Sequence, residues 1–129
     1  MSREIKFRFI GQHDESTRIH IIYKTIEELE LGGLHVPERF YLIARNEYTG
    51  LKDKNGVDIY EGDIIGIIPY YNNPKGAIFS IYFSEDTAQF SYDEDKEKEL
   101  MIEPLTNIVD ECMVIGNIYQ YPELLTKQV

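Results

Sequence analysis

The sequence predicts a mainly β chain folded as a small barrel with one brief helix, and three observations carry that expectation. Apolar and polar residues alternate over short stretches, as they do along half-buried strands. Gly, Pro and Asn turn signals separate these stretches at close intervals, which favours strand following strand over α/β layers. At 129 residues, with 43% hydrophobic and 12% aromatic side chains, the chain has material for one compact core without disulfides or metal.

Taken in order, Ile5, Phe7 and Phe9 alternate with Glu4, Lys6 and Arg8, so the first strand is expected to turn its apolar face inward and its charges to solvent. His13 to Thr17 reads as a turn, and Ile19, Ile21 and Tyr23 supply a hairpin partner. Thr25 and Glu28 have capping-box spacing, in which the hydroxyl takes the third helical amide and the carboxylate reaches back to the cap. Gly32-Gly33 then stops the helix after about two turns. Pro37 suits the entrance of a strand over Arg39–Arg45. From Tyr48 to Asp63, turn chemistry is punctuated by single apolar anchors. Asn55-Gly56 is expected to give positive φ at two successive positions of a tight hairpin, and Gly62-Asp63 to form a structural turn that launches Ile64–Ile68. Pro69–Gly76 reads as a loop, with strands over Ala77–Phe83, around Phe90-Ser91-Tyr92 and over Cys112–Tyr119. Between Ser84 and Glu103 there are eight acidic and two basic residues, and Asp93–Glu99 lacks apolar periodicity, so a solvated acidic loop is expected there.

Charge and cysteine usage exclude several function classes. Thirteen Lys and Arg against 23 Asp and Glu give a formal charge of −10, a field that repels phosphate backbones and anionic membranes. Cys112 is the single cysteine, which rules out a disulfide framework, and its apolar neighbours place it in a buried strand. No run approaches the length of a membrane span, and Met1-Ser2-Arg3-Glu4 leads into an alternating strand. A cytoplasmic protein that does not engage membranes is expected.

Few residues offer chemistry. Asp53, Asn55 and Gly56 imitate part of a calcium loop, but with Gly56 in the sixth place Leu51 and Gly62 fall where carboxylate ligands are required. Asp58, Glu61 and Asp63 suit a magnesium site or an acid and base pair only if they converge, and a turn with the Asp63 carboxylate accepting backbone amides accounts for the same residues. His13, His20 and His35 lack metal-ligand spacing, and neither a phosphate-binding Gly-rich loop nor a Gly-x-Ser-x-Gly elbow occurs. Catalytic residues, metal and cofactors are accordingly expected to be none, with Asn55, Gly56, Gly62 and Asp63 as structural turn residues. Tyr70, Tyr71 and Tyr121 stand beside loop-forming Asn or Pro and are the candidate interaction surface.

The segment from Tyr48 to Gly56 running into Ile59-Tyr60-Glu61-Gly62-Asp63-Ile64-Ile65, with Val114–Tyr119 and Pro122-Glu123-Leu124-Leu125, closely resembles the YopX family of phage and prophage proteins. Arg3–Arg8 is similar to that family's N-terminal signature, although Phe9-Ile10-Gly11 stands where an aromatic Trp-Asp pair is usual and Gln120-Tyr121 replaces Glu-Asn. The resemblance implies a single domain over residues 1–129, in which an SH3-like barrel formed mainly by 46–125 carries an N-terminal α+β elaboration over 1–45. It also implies a phage or prophage source, hence a bacterial host cytoplasm, and no particular activity. The expected role is a nonenzymatic accessory protein that binds a host or phage protein, self-association included. A nucleic-acid-associated module ranks second and a metal-dependent enzyme third.

Overall fold

A computed structural model describes residues 4–14, 17–67, 77–85, 88–93 and 102–125. Among these the chain is mainly β, with ten strands, one α-helix and two 3-10 turns. β1 (Lys6–His13), β2 (Ile19–Thr25), β3 (Phe40–Lys52) and β4 (Asp58–Tyr60) form an antiparallel sheet in the order β2-β1-β3-β4. The hairpin of β1 and β2 arises as the alternation predicts, with Lys6 opposite Thr25 and Gln12 opposite Ile19. The expected half-burial of β1 does not hold, because Arg8, assigned to the solvent face, is only 3% exposed. β1 lies between β2 and β3, and the corner at Asp63 closes over its polar face. The helix α1 (Ile26–Gly32) starts from the Thr25–Glu28 capping box, with both reciprocal bonds present, and ends at Gly33. It buries none of its residues.

β3 runs through Tyr48-Thr49-Gly50-Leu51-Lys52, which sequence reading assigns to turns. Gly50, at φ 85°, and a register shift between Tyr48 and Lys52 bend the strand while it continues from β1 to β4. That bend breaks the period-two pattern by which a strand is recognised. The hairpin that follows also differs from expectation, since Gly56 has positive φ (82°) and Asn55 does not. Gly56 N–H donates to the Asp53 carbonyl (3.0 Å) and Asp53 N–H to the Val57 carbonyl (2.8 Å), so an ordinary turn is followed by one left-handed residue.

The remaining strands make two three-stranded antiparallel sheets. One has the order β10-β5-β6, from β10 (Cys112–Asn117), β5 (Asp63–Ile67) and β6 (Ala77–Ser80). The other has the order β7-β8-β9, from β7 (Tyr82–Ser84), β8 (Gln89–Asp93) and β9 (Ile102–Pro104). The single strand expected over Ala77–Phe83 is thus broken at Ile81. Its amide donates to the Asp63 carbonyl (2.9 Å) and its carbonyl accepts from Gly62 N–H (2.8 Å), which hands the chain from one sheet to the next. Ile59, Ile65, Phe79, Ile81, Tyr92, Leu105, Ile108 and Cys112 form the core, to which all three sheets contribute. No closed barrel is found among the described residues, so the architecture stands as antiparallel sheets. The loop over Pro69–Gly76, with Tyr70 and Tyr71, lies outside the described residues, as does the acidic loop beyond Asp93 as far as Glu99. No helix among the described residues is long and apolar enough to cross a membrane.

Candidate functional site

The sheets meet at the corner Tyr60-Glu61-Gly62-Asp63. A carboxylate directly after a tight turn can accept the amide three residues back, and Asp63 Oδ2 accepts Tyr60 N–H at 2.7 Å. Gly62 has φ 87°, and a Cβ built on it would lie 3.2 Å from Asn46 Oδ1 and 3.2 Å from a Tyr119 ring carbon. Backbone conformation and close approach therefore both require glycine.

Arg8 reaches this corner from β1 and uses its whole fork. Nη1 donates to Asp63 Oδ1 (2.5 Å), Nε to Asn46 Oδ1 (2.9 Å) and Nη2 to the Glu61 carbonyl (3.1 Å). Asn46 Nδ2 in turn donates to the Tyr119 hydroxyl (2.8 Å), and Ile118 N–H to the Gly62 carbonyl (3.0 Å). Residues from β1, β3, β5 and the segment after β10 are thereby tied at one point. Burial pushes the Asp63 carboxyl above the usual carboxylate range, and the charge of Arg8 and the Tyr60 amide offset only part of that rise.

Two further carboxylates are committed nearby. Asp53 accepts the amides of Asn55 (2.8 Å) and Val57 (2.9 Å) on one oxygen and that of Val114 (2.8 Å) on the other. Burial raises its pKa, yet the three amides outweigh burial and hold it below the usual range. Both oxygens are engaged by backbone donors, the opposite of the open ligand array a calcium loop needs. Asp58 lies between Lys6 Nζ (2.6 Å) and Lys52 Nζ (2.5 Å). Burial raises Asp58 and the two ammonium groups lower it further, so its net shift is downward.

A cleft of about 270 Å³ opens beside this network, lined by Arg8, Asp58, Tyr60, Asp63, Tyr23 and Val57 among others. Asp58 and Asp63 thus share a cleft, while Glu61 enters the network through its backbone and is not part of the lining. Tyr60, under the Arg8 guanidinium at 5.1 Å, is pushed up to about 12, mainly by burial. Among the described residues, no three His, Cys, Asp or Glu side chains are grouped to hold a metal ion. No buried side-chain nitrogen or oxygen there lacks a hydrogen-bond partner. A second cleft, of about 250 Å³, is lined by Leu51, Phe83, Phe90 and Pro104 among others, with the two Phe rings edge to face at 5.3 Å.

The turn residues Asn55, Gly56, Gly62 and Asp63 therefore all sit within or beside this network. Of the candidate interaction residues, Tyr121 is 48% exposed, next to the closing 3-10 turn Pro122–Leu125. Sequence reading does not pick out Arg8, Lys6, Asn46 or Tyr119, because their partners are distant in the chain; 55 positions separate Arg8 from Asp63. Phe9, in the place of the family's usual aromatic, is buried.

A mainly β chain of antiparallel sheets, with a glycine corner fastened by a buried Arg–Asp pair, is the class this fold and site define. The chain belongs to the YopX family, whose model for YopX protein matches residues 6–126. Its fold is similar to that in the crystal structure of protein EF1440 from Enterococcus faecalis, at 23% identity and a TM-score of 0.52, over 96% of this chain and 99% of that one. No curated protein matches the chain.

Proposed function

We propose that this YopX-family chain is a phage- or prophage-encoded accessory protein that acts by binding another protein and has no enzymatic activity. We further propose that its sheets belong to a small SH3-like barrel bearing an N-terminal α+β elaboration. One observation carries the functional reading: the charged side chains lining the cleft, Arg8, Asp58 and Asp63, are already engaged by partners within the chain, whereas apolar side chains stand in solvent. A catalytic carboxylate needs a free valence toward substrate, while an interface needs apolar anchors. Eight of the thirteen large apolar side chains exposed among the described residues precede residue 44, including Leu31 at 90%. The N-terminal elaboration thereby becomes a favoured binding face in addition to Tyr121.

The tagged full chain should retain a protein partner from lysogenic or phage-infected cells, and the pair should reassociate from purified components in titration calorimetry. Substituting Leu31 and Tyr41 by Ser should weaken that association. The reading fails if no partner is retained, or if the purified chain turns over a substrate and loses that turnover on Asp58→Asn.

A further inference from the structure

Asn55-Gly56 lies in the turn between β3 and β4 and is the one place in the chain where glycine follows asparagine. Beyond shaping the turn, that dipeptide is chemically labile. A backbone nitrogen attacks the side-chain carbonyl carbon of the preceding asparagine where its own residue leaves room, and Gly56 has no Cβ in the way. Nothing else crowds it, since a Cβ added there would meet no atom within 4 Å. Asn55 and Gly56 are both exposed. Asn55 bonds to Asp53 Oδ1 (2.8 Å) through its backbone N–H, and its carboxamide has no hydrogen-bond partner among the described residues.

The other asparagines are held or hindered. Asn46 and Asn117 are only 3% and 6% exposed. Their side-chain amides are engaged, the first by Arg8 and Tyr119 and the second by the backbone N–H groups of Tyr119 and Gln120. Asn72 and Asn107 precede Asn73 and Ile108, whose side chains stand beside the attacking nitrogen, and Asn73 precedes Pro74, which has no N–H to lose. In the folded turn, Gly56 N–H donates to the Asp53 carbonyl at 3.0 Å. This bond must open before the nitrogen attacks, and an exposed turn opens locally far more often than a whole domain unfolds.

We propose that Asn55 is a site of spontaneous deamidation in the folded chain, and that its isoaspartyl product loosens the joint through which Asp53 holds β10. Hydroxide removes the Gly56 amide proton, and the nitrogen forms a bond to Cγ of Asn55. The bond from Cγ to Nδ2 breaks, and the leaving nitrogen takes a proton from water, giving ammonia and regenerating hydroxide. Water then opens the cyclic imide at either carbonyl. Breaking the new bond to Cγ restores the main chain with an aspartate, whereas breaking the original peptide bond leaves the chain running through Cγ as isoaspartate. The second product adds one backbone atom between the Asn55 and Val57 amides, both of which Asp53 Oδ1 holds while Oδ2 holds Val114 N–H. The proposal is independent of the protein-binding reading and stands or falls without it.

The full chain, warmed in neutral and in mildly alkaline buffer, should gain the mass of an amide exchanged for a carboxyl group. Tandem mass spectrometry of its peptides should place that change at Asn55 ahead of every other asparagine. Conversion should run severalfold faster in the alkaline buffer, and isoaspartyl methyltransferase should methylate the product. Asn55→Gln should accept no methyl group at that position, because closing the imide there requires a larger ring. Urea below the unfolding transition should leave the rate nearly unchanged, whereas reaction through the unfolded chain would rise steeply with urea. The isoaspartyl fraction, purified by ion exchange, should unfold at lower urea than Asn55→Asp, which carries the same charge on an ordinary backbone. An Asn55 that stays intact while other asparagines convert overturns the proposal, as does a rate that follows global unfolding. An isoaspartyl chain as stable as Asn55→Asp would refute the loosened joint.

Discussion

Arg8 and Asp63 show how a single contact couples distant parts of the chain. Both are nearly excluded from water, so neither charge is tolerable without the other. Arg8→Met should therefore cost about 3 to 5 kcal/mol in urea denaturation, the usual penalty for leaving one partner of a buried pair alone. Asp63→Asn should be markedly less damaging in the Arg8→Met background than in the parent, since it removes the orphaned charge and keeps an acceptor for Tyr60 N–H. Equal costs in the two backgrounds would mean that the pair is not coupled. Asp53 permits a test by pH. Its carboxyl is held below its unfolded value, so its stabilising contribution is fully present above that value and is lost as pH falls toward the folded one. Asp63, pushed upward by burial, acts in the opposite sense, with a contribution present below its unfolded value and lost as pH rises through the folded one. Denaturation midpoints of the parent and of Asp53→Asn should therefore converge as the solution is acidified and separate toward neutrality, with Asp53→Asn the less stable there. A constant gap across that range would assign the amide bonds of Asp53 no dependence on its charge.

Individual elements differ in how far local chemistry determines them. The Thr25–Glu28 box, the hairpin of β1 with β2 and the turn before β5 are legible in the sequence because each is decided within a few residues. The length of β3 is not, because a bulge and the left-handed Gly50 interrupt its alternation while its ladder continues. The burial of Arg8 is equally hidden, since whether the second face of a strand meets water depends on which distant segments flank it. α1 makes the contrast testable. Thr25→Ala removes a cap normally worth about 0.5 to 2 kcal/mol, yet α1 buries none of its residues, so global stability should scarcely depend on it. Hydrogen exchange should show the α1 amides losing protection while the urea midpoint of the whole chain stays within measurement error. A matching fall in the midpoint would show that the helix folds as part of the core.

Across the whole molecule, the three sheets are cross-linked by polar joints as well as by the shared core. Arg8 ties β1 to Asp63 on β5, Asp53 ties the β3–β4 turn to Val114 on β10, and Lys54 N–H donates to the Cys112 carbonyl at 3.1 Å. Joints of this kind make opening one sheet costly to its neighbours, and the chain should behave as one cooperative unit. Cys112 reports directly on that behaviour. It lies on β10, has no exposed surface and belongs to the central core. Burial, with the nearby negative charge of Asp53, pushes its thiol up to about 11, so at neutral pH it is both inaccessible and overwhelmingly protonated. Iodoacetamide should label it only from an opened state. The labelling rate should rise with urea at the slope of global unfolding measured by circular dichroism. A rate independent of urea would show instead that β10 peels away by itself, and that the joints at Asp53 and Cys112 do not bind the sheets into one unit.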